Sequence, residues 1–224
     1  MGKLENSVDL WHTRIHASAS APGVLSDLSL TRPESDPRME HLMSPVRATT
    51  GAARSAALLN PIDLLEYTRF AGEEILAGRY PFVRFDPDER WHQRLYRDRR
   101  IDLWLISWLP GQGTQLHDHG GSSGAFTVLS GELSEATYRP HTRSQSEQVH
   151  LAGTGFGFGA HYIHDVRNVT DRPAVSVHAY SLPLERMNFY DLNESGELEL
   201  VATAVTDDPE PAPELIREVG IGAA

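Results

Sequence analysis

Short apolar runs, each broken by glycine, proline or asparagine, recur from about residue 100 to 203 and predict consecutive short strands. Strands of this kind close into a small antiparallel barrel, whose side chains alternate between interior and exterior. Upstream the period changes. Asn60-Pro61 reads as a helix N-cap followed by proline at the first helical position, and Ile62, Leu65, Phe70 and Leu76 recur at helical spacing. The pattern predicts a helix over about 61–77 that caps the barrel by burying its apolar face. The expected fold is an all-β core, an antiparallel β-barrel with one or two N-terminal helices packed on it, spanning 57–205. Residues 1–56, rich in Ser, Ala, Pro and charge without a sustained period, predict a disordered leader. Asp207-Asp208-Pro209-Glu210-Pro211-Ala212-Pro213 interrupts regular structure, which leaves a short helix over 214–219 within a flexible tail of 206–224.

With 224 residues, 40% of them hydrophobic, the chain can bury one good core and needs no second domain. A formal net charge of -11 argues against nucleic acid or an anionic membrane as partner, since both reward a basic surface. A small molecule is the better partner. No apolar run approaches the roughly 20 residues of a membrane span, and no basic-then-apolar leader opens the chain. The sequence holds no cysteine, so it makes no demand for an oxidising compartment, and a cytoplasmic location is the default.

The candidate chemistry is carried by histidine. The run 103–116 alternates apolar positions at its start and reads as a strand leading into His117-Asp118-His119. Residues two apart on a strand share a face, so His117 and His119 aim together while Asp118 faces away. His164 follows about 45 positions later, a spacing that suits three imidazoles converging on one metal. His161 is the rival third ligand. His12, His16, His41, His92, His141 and His150 take the ordinary role of surface or core histidines. A serine-hydrolase triad is set aside because no Gly-x-Ser-x-Gly elbow stands out. Gly-Thr-Gly-Phe-Gly-Phe-Gly over 153–159 lacks the lysine-bearing helix of a phosphate loop.

Gly111, five residues, His117-x-His119 and then Gly131 resemble the first signature of the cupin superfamily, and His164 with Asn168 four later resembles the second. The resemblance implies a cupin-type, jelly-roll-like barrel with the metal at its mouth. In the common cupin pattern a glutamate completes the ligand set, and the corresponding position here is Gly124. Three neutral imidazoles leave a divalent metal its full charge, which favours anionic incoming ligands such as a thiolate and a reduced dioxygen species. The chain thereby resembles the cysteine dioxygenase type of thiol dioxygenase. Ala174-Val175-Ser176-Val177-His178-Ala179-Tyr180-Ser181 adds a second match, similar to the family's late strand with serine, histidine and tyrosine at alternate positions. The cysteine that some members crosslink to that tyrosine would also stand at Gly124, so Tyr180 works here as an ordinary phenol.

This resemblance implies Fe(II) held by His117, His119 and His164, and addition of both atoms of O2 to the sulfur of L-cysteine to give cysteine sulfinate. Tyr180, supported by His178 and Ser176, is expected to orient the reacting groups. From Trp91-His92-Gln93-Arg94-Leu95-Tyr96-Arg97, Arg94 or Arg97 is expected to take the substrate carboxylate. Two alternatives stay open: 3-mercaptopropionate as the thiol, or a metal-binding cupin that acts as a sensor or as a non-oxygenase enzyme.

Overall fold

The computed structural model describes residues 58–79, 83–211 and 216–218, the last three by backbone alone. The expected leader, 1–56, lies outside the described residues. Helix α1, Pro61–Leu76, begins where the sequence places it, because Asn60 adopts an extended backbone and its side chain accepts hydrogen bonds from the amides of Ile62 and Asp63. Asp63 in the first turn adds a favourable charge at the positive helix end. The buried face, however, is Leu64, Tyr67, Thr68, Ala71 and Ile75. Ile62, from the expected stripe, is 72% exposed, and Leu76 is exposed as well. Packing is close on this face: at Gly72 an added Cβ would lie 2.5 Å from Leu129 Cδ2, the tip of a side chain on the sheet.

Twelve strands follow, in two sheets joined only by antiparallel pairings among the described residues. The first sheet has the order β1-β2-β9-β4-β7 and is built from β1 His92–Arg97, β2 Asp102–Trp108, β9 Ala174–Ser181, β4 Ser123–Ser130 and β7 Gly155–Phe158. The second has the order β12-β11-β10-β3-β8-β5-β6. Its strands are β3 Leu116–Asp118, β5 Glu132–Arg139, β6 Ser144–Leu151, β8 Ile163–Arg167, β10 Met187–Leu192, β11 Leu198–Ala204 and β12 Ile216–Glu218. This is the antiparallel barrel that the strand pattern predicts, with one helix packed on it.

Two apolar layers result. Leu103, Leu105, Ala125, Leu129, Val175, Val177 and Ala179 turn outward from the first sheet onto α1. Trp104, Ile106, Trp108, Phe126, Val128 and Tyr180 turn inward between the sheets. Strands β2 and β9 are therefore buried on both faces, and each fully buried Leu or Val in them stabilises the fold by roughly 1.5–3 kcal/mol. A buried hydroxyl pair, Thr68 to Thr127 at 2.8 Å, satisfies the polar atoms within the outer layer.

At the C-terminal end the expectation of a helix over 214–219 is corrected, since Ile216–Glu218 pairs as β12 with β11. The free edge of β11 supplies unpaired backbone groups, and pairing them outweighs any local helical preference. No helix among the described residues is long and apolar enough to cross a membrane. Replacing Asn60 by Ala removes both capping bonds and is expected to cost about 1 kcal/mol, read as a lower denaturant midpoint at unchanged slope. An unchanged midpoint would show that the cap contributes nothing to the fold.

Candidate metal centre

His117 lies on β3, directly opposite His164 on β8, and His119 follows one residue past the end of β3. All three are buried, and one ring nitrogen from each falls within 4.8 Å of the others. The ring centroids are separated by 4.7 to 5.1 Å. His117 Nδ1 is 2.8 Å from the Gln115 carbonyl and His164 Nδ1 is 2.7 Å from Glu135 Oε1, which leaves Nε2 of each ring for a metal. Burial pushes the proton affinity of His117 and His119 well below the usual imidazole range, and the neighbouring imidazoles push it further. Buried and converging, these rings fit a divalent cation.

Asp118 faces away, as strand alternation requires. Its carboxylate accepts from the Gly120 amide at 2.7 Å, Asn188 Nδ2 at 2.9 Å and the Tyr190 hydroxyl at 2.6 Å, tying β3 to β10. At Gly124 an added Cβ would stand 2.3 Å from Phe158 Cζ. The Phe158 ring occupies that volume and stacks on His119 at 5.1 Å while lying 5.2 Å from His164. An aromatic face therefore fills the place where a fourth, acidic ligand would project. His161, the rival ligand, is exposed on the turn before β8.

Opposite the imidazoles, β9 presents Ser176, His178 and Tyr180 on its inner face. The Trp108 indole donates to Ser176 Oγ at 2.9 Å, and that hydroxyl is 2.8 Å from His178 Nε2. Phe126 stacks on the His178 ring at 5.3 Å. Burial lowers His178 to about 3, so its ring is neutral. Tyr180 meets His119 ring to ring at 4.9 Å, and burial pushes its phenol above the usual range.

The arginines divide differently from the expectation. Arg94 lies 3.2 Å from Asp102 and 3.3 Å from Asp207 while covering Trp104, and Arg97 lies 3.1 Å from both carboxylates. Burial pushes the Asp102 carboxyl up to about 6 against the pull of Arg94 and Arg97. Asp207, expected in a flexible tail, is thus fixed on the barrel, as are Asp208 beside His92 and Glu210 beside Arg90. Arg90 escaped the sequence reading because it ends the charged run Asp86-Pro87-Asp88-Glu89-Arg90, which resembles a solvated loop. It is buried over the Trp108 ring, and its charge acts on Tyr180, His117 and His178. The parity of Arg90, His92 and Arg94, which places all three on one side of an extended chain, is the signal that marks it. A cleft of about 600 Å³ is lined by Arg97, Gly120, Glu185, Arg186, Val205, Thr206 and Asp207.

Glu135 also went unremarked in the sequence. Burial pushes its carboxyl up, yet hydrogen bonds from His150 and His164 outweigh this and hold it at about 2.

Comparison with known proteins gives a family match over residues 76–193, just over half of the chain, to a family described as cysteine dioxygenase type I. Cysteine dioxygenase type 1 of Danio rerio is 24% identical over 143 residues, covering 59% of this chain and 63% of that protein. The Homo sapiens protein of the same name is 26% identical over 102 residues, 41% of this chain and 50% of its own length. The chain thus spans 50% to 63% of the length of these two curated relatives. Among solved structures, a Klebsiella pneumoniae protein with a double-stranded β-helix domain aligns over 45% of this chain and 84% of that one, at 19% identity and a TM-score of 0.40.

The substitution Gly124→Ala drives a methyl group into the Phe158 ring and is expected to lower stability by about 1–3 kcal/mol in thermal or denaturant unfolding. Adding Phe158→Leu should recover part of that loss. An alanine tolerated at full stability would contradict the close packing of this ring against β4.

Proposed function

The chain belongs to the cysteine dioxygenase type I family, and from that premise we propose that it is a non-haem Fe(II) thiol dioxygenase that converts L-cysteine to cysteine sulfinate. The observation that carries this reading is the convergence of the buried His117, His119 and His164, with Tyr180 against His119. Iron held by these nitrogens supplies a Lewis acid that favours thiolate over thiol and a redox centre for dioxygen. The overall change is RSH + O2 to RSO2H, in which sulfur provides the electrons and no external reductant enters.

The protein's own groups bind and orient. Tyr180 keeps its proton, because burial disfavours the phenolate, and so offers an O–H donor beside the imidazoles. Trp108, Ser176 and His178 form a buried chain of hydrogen bonds that fixes β9 beneath it. Phe158 and Phe126 exclude water from the same space.

For the substrate carboxylate, Arg90 is the better anchor than Arg94 or Arg97. Each of the latter is held by two carboxylates, Asp102 and Asp207, whereas the ion pair of Arg90 among the described residues is with Glu210, at the opposite end of the guanidinium from its buried Nε. Glu210, paired with Arg90, places an acidic group where the ammonium of an amino-acid thiol can find a partner, which favours cysteine over 3-mercaptopropionate. A reducing cytoplasm, where a thiol remains free, suits this reaction.

The test is oxygen uptake by Fe(II)-loaded, anaerobically purified protein given L-cysteine or 3-mercaptopropionate, with sulfinate quantified. The expected result is one sulfinate per O2 with L-cysteine, abolished by His164→Ala. Uptake with 3-mercaptopropionate alone would reassign the thiol, and metal binding without uptake for either would move the protein to a sensor or non-oxygenase role. Arg90→Gln is expected to raise KM for L-cysteine by about 10-fold or more, the scale of a lost charge-assisted hydrogen bond. A larger rise in Arg94→Gln or Arg97→Gln would return the carboxylate site to those residues.

A further inference from the structure

His150 is the one buried residue of β6, a strand otherwise turned to solvent. It lies 2% exposed, and its Nε2 is 2.7 Å from Glu135 Oε2. Glu135 is itself fully buried on β5, and its other oxygen is 2.7 Å from His164 Nδ1. The register explains how one carboxylate reaches both rings. On β5, Leu133 faces His150 and Thr137 faces His164, so Glu135 is the diagonal neighbour of each. Tyr162 packs against the His164 ring at 5.2 Å, and Phe126 packs its ring against that of His150 at 4.8 Å.

Burying a carboxylate without cause is costly, and a barrel wall offers many cheaper ways to fill this volume. The two anchors also differ in kind: His117 Nδ1 meets the neutral carbonyl of Gln115, whereas His164 Nδ1 meets a full negative charge. A carboxylate on the far nitrogen fixes an imidazole's tautomer and orientation and makes its near nitrogen a stronger donor. The ligand set contains no acid, since Phe158 fills the space over Gly124.

We propose that Glu135 is a positioning residue of the metal centre: through His164 it supplies, one bond further out, the negative charge that three imidazoles lack, and His150 holds it in that pose. The inference rests on the metal-binding reading of His117, His119 and His164. It gives His150, an ordinary core histidine by sequence, a defined place in the site.

The experiment compares the full chain with Glu135→Gln and His150→Ala, measuring Co(II) affinity by chelator competition, the Co(II) ligand-field spectrum, and the circular dichroism of each metal-free protein. Glu135→Gln is expected to keep the fold and weaken Co(II) binding by about 10–100-fold, with a shifted spectrum. His150→Ala should shift both in the same direction by a smaller factor. A folded Glu135→Gln protein that binds Co(II) within about twofold of wild type would overturn the inference while leaving the metal site intact. Wild-type protein that binds no Co(II) would overturn the metal reading and this inference with it. Should Glu135→Gln fail to fold, nitrogen NMR of Zn(II)-loaded wild type decides: a proton on His164 Nδ1 with metal at Nε2 supports the inference, and metal at Nδ1 sinks it.

Discussion

His117 and His164 stand opposite each other because the short strand β3 pairs with β8 at that one step, and the rest of the site follows from it. A slip of one residue would turn His117 and His119 out of the barrel and bring Asp118 in, exchanging two neutral donors for one acid. Asp118 itself resists the slip, since its bonds to Gly120, Asn188 and Tyr190 exist only when it points outward. The same alternation on β9 sends Ser176, His178 and Tyr180 to the inner face, where Tyr180 meets His119, and Val175, Val177 and Ala179 to meet α1. Structure and chemistry therefore use opposite faces of one strand.

Charge is organised around this frame in layers. Among the described residues no acidic group joins the three imidazoles, so a cation bound there would keep its attraction for anions. The carboxylate of Glu135 lies behind His164, on the ring nitrogen that faces away from the other two imidazoles. On the other side Arg90, Arg94 and Arg97 bring positive charge, and Asp102, Asp207 and Glu210 balance it. Each guanidinium there has a carboxylate beside it, so no buried cation stands uncompensated.

The three converging histidines were legible because strand period and one spacing specify them, and period is what sequence displays best. The N-terminal boundary of α1 was legible for a similar reason, since Asn60 and Pro61 act locally. Which face of that helix is buried was not, because close approach at Gly72 and the fit of Tyr67 and Ala71 against β4 and β9 are tertiary facts. Arg90 and Glu135 were hidden by type: charged residues in polar runs read as solvated, and only the fold shows that neighbouring strands bury them. β12 was missed because a strand added to a free edge needs the edge, which no local pattern announces.

The account stands on three imidazoles leaving adjacent positions open to a thiol. X-ray absorption at the iron edge of the Fe(II)-loaded chain, recorded anaerobically before and after L-cysteine, tests that directly. The account predicts three imidazole donors throughout and one sulfur neighbour that appears with the substrate. A site with fewer than three imidazoles, or one to which cysteine adds no sulfur, would contradict it.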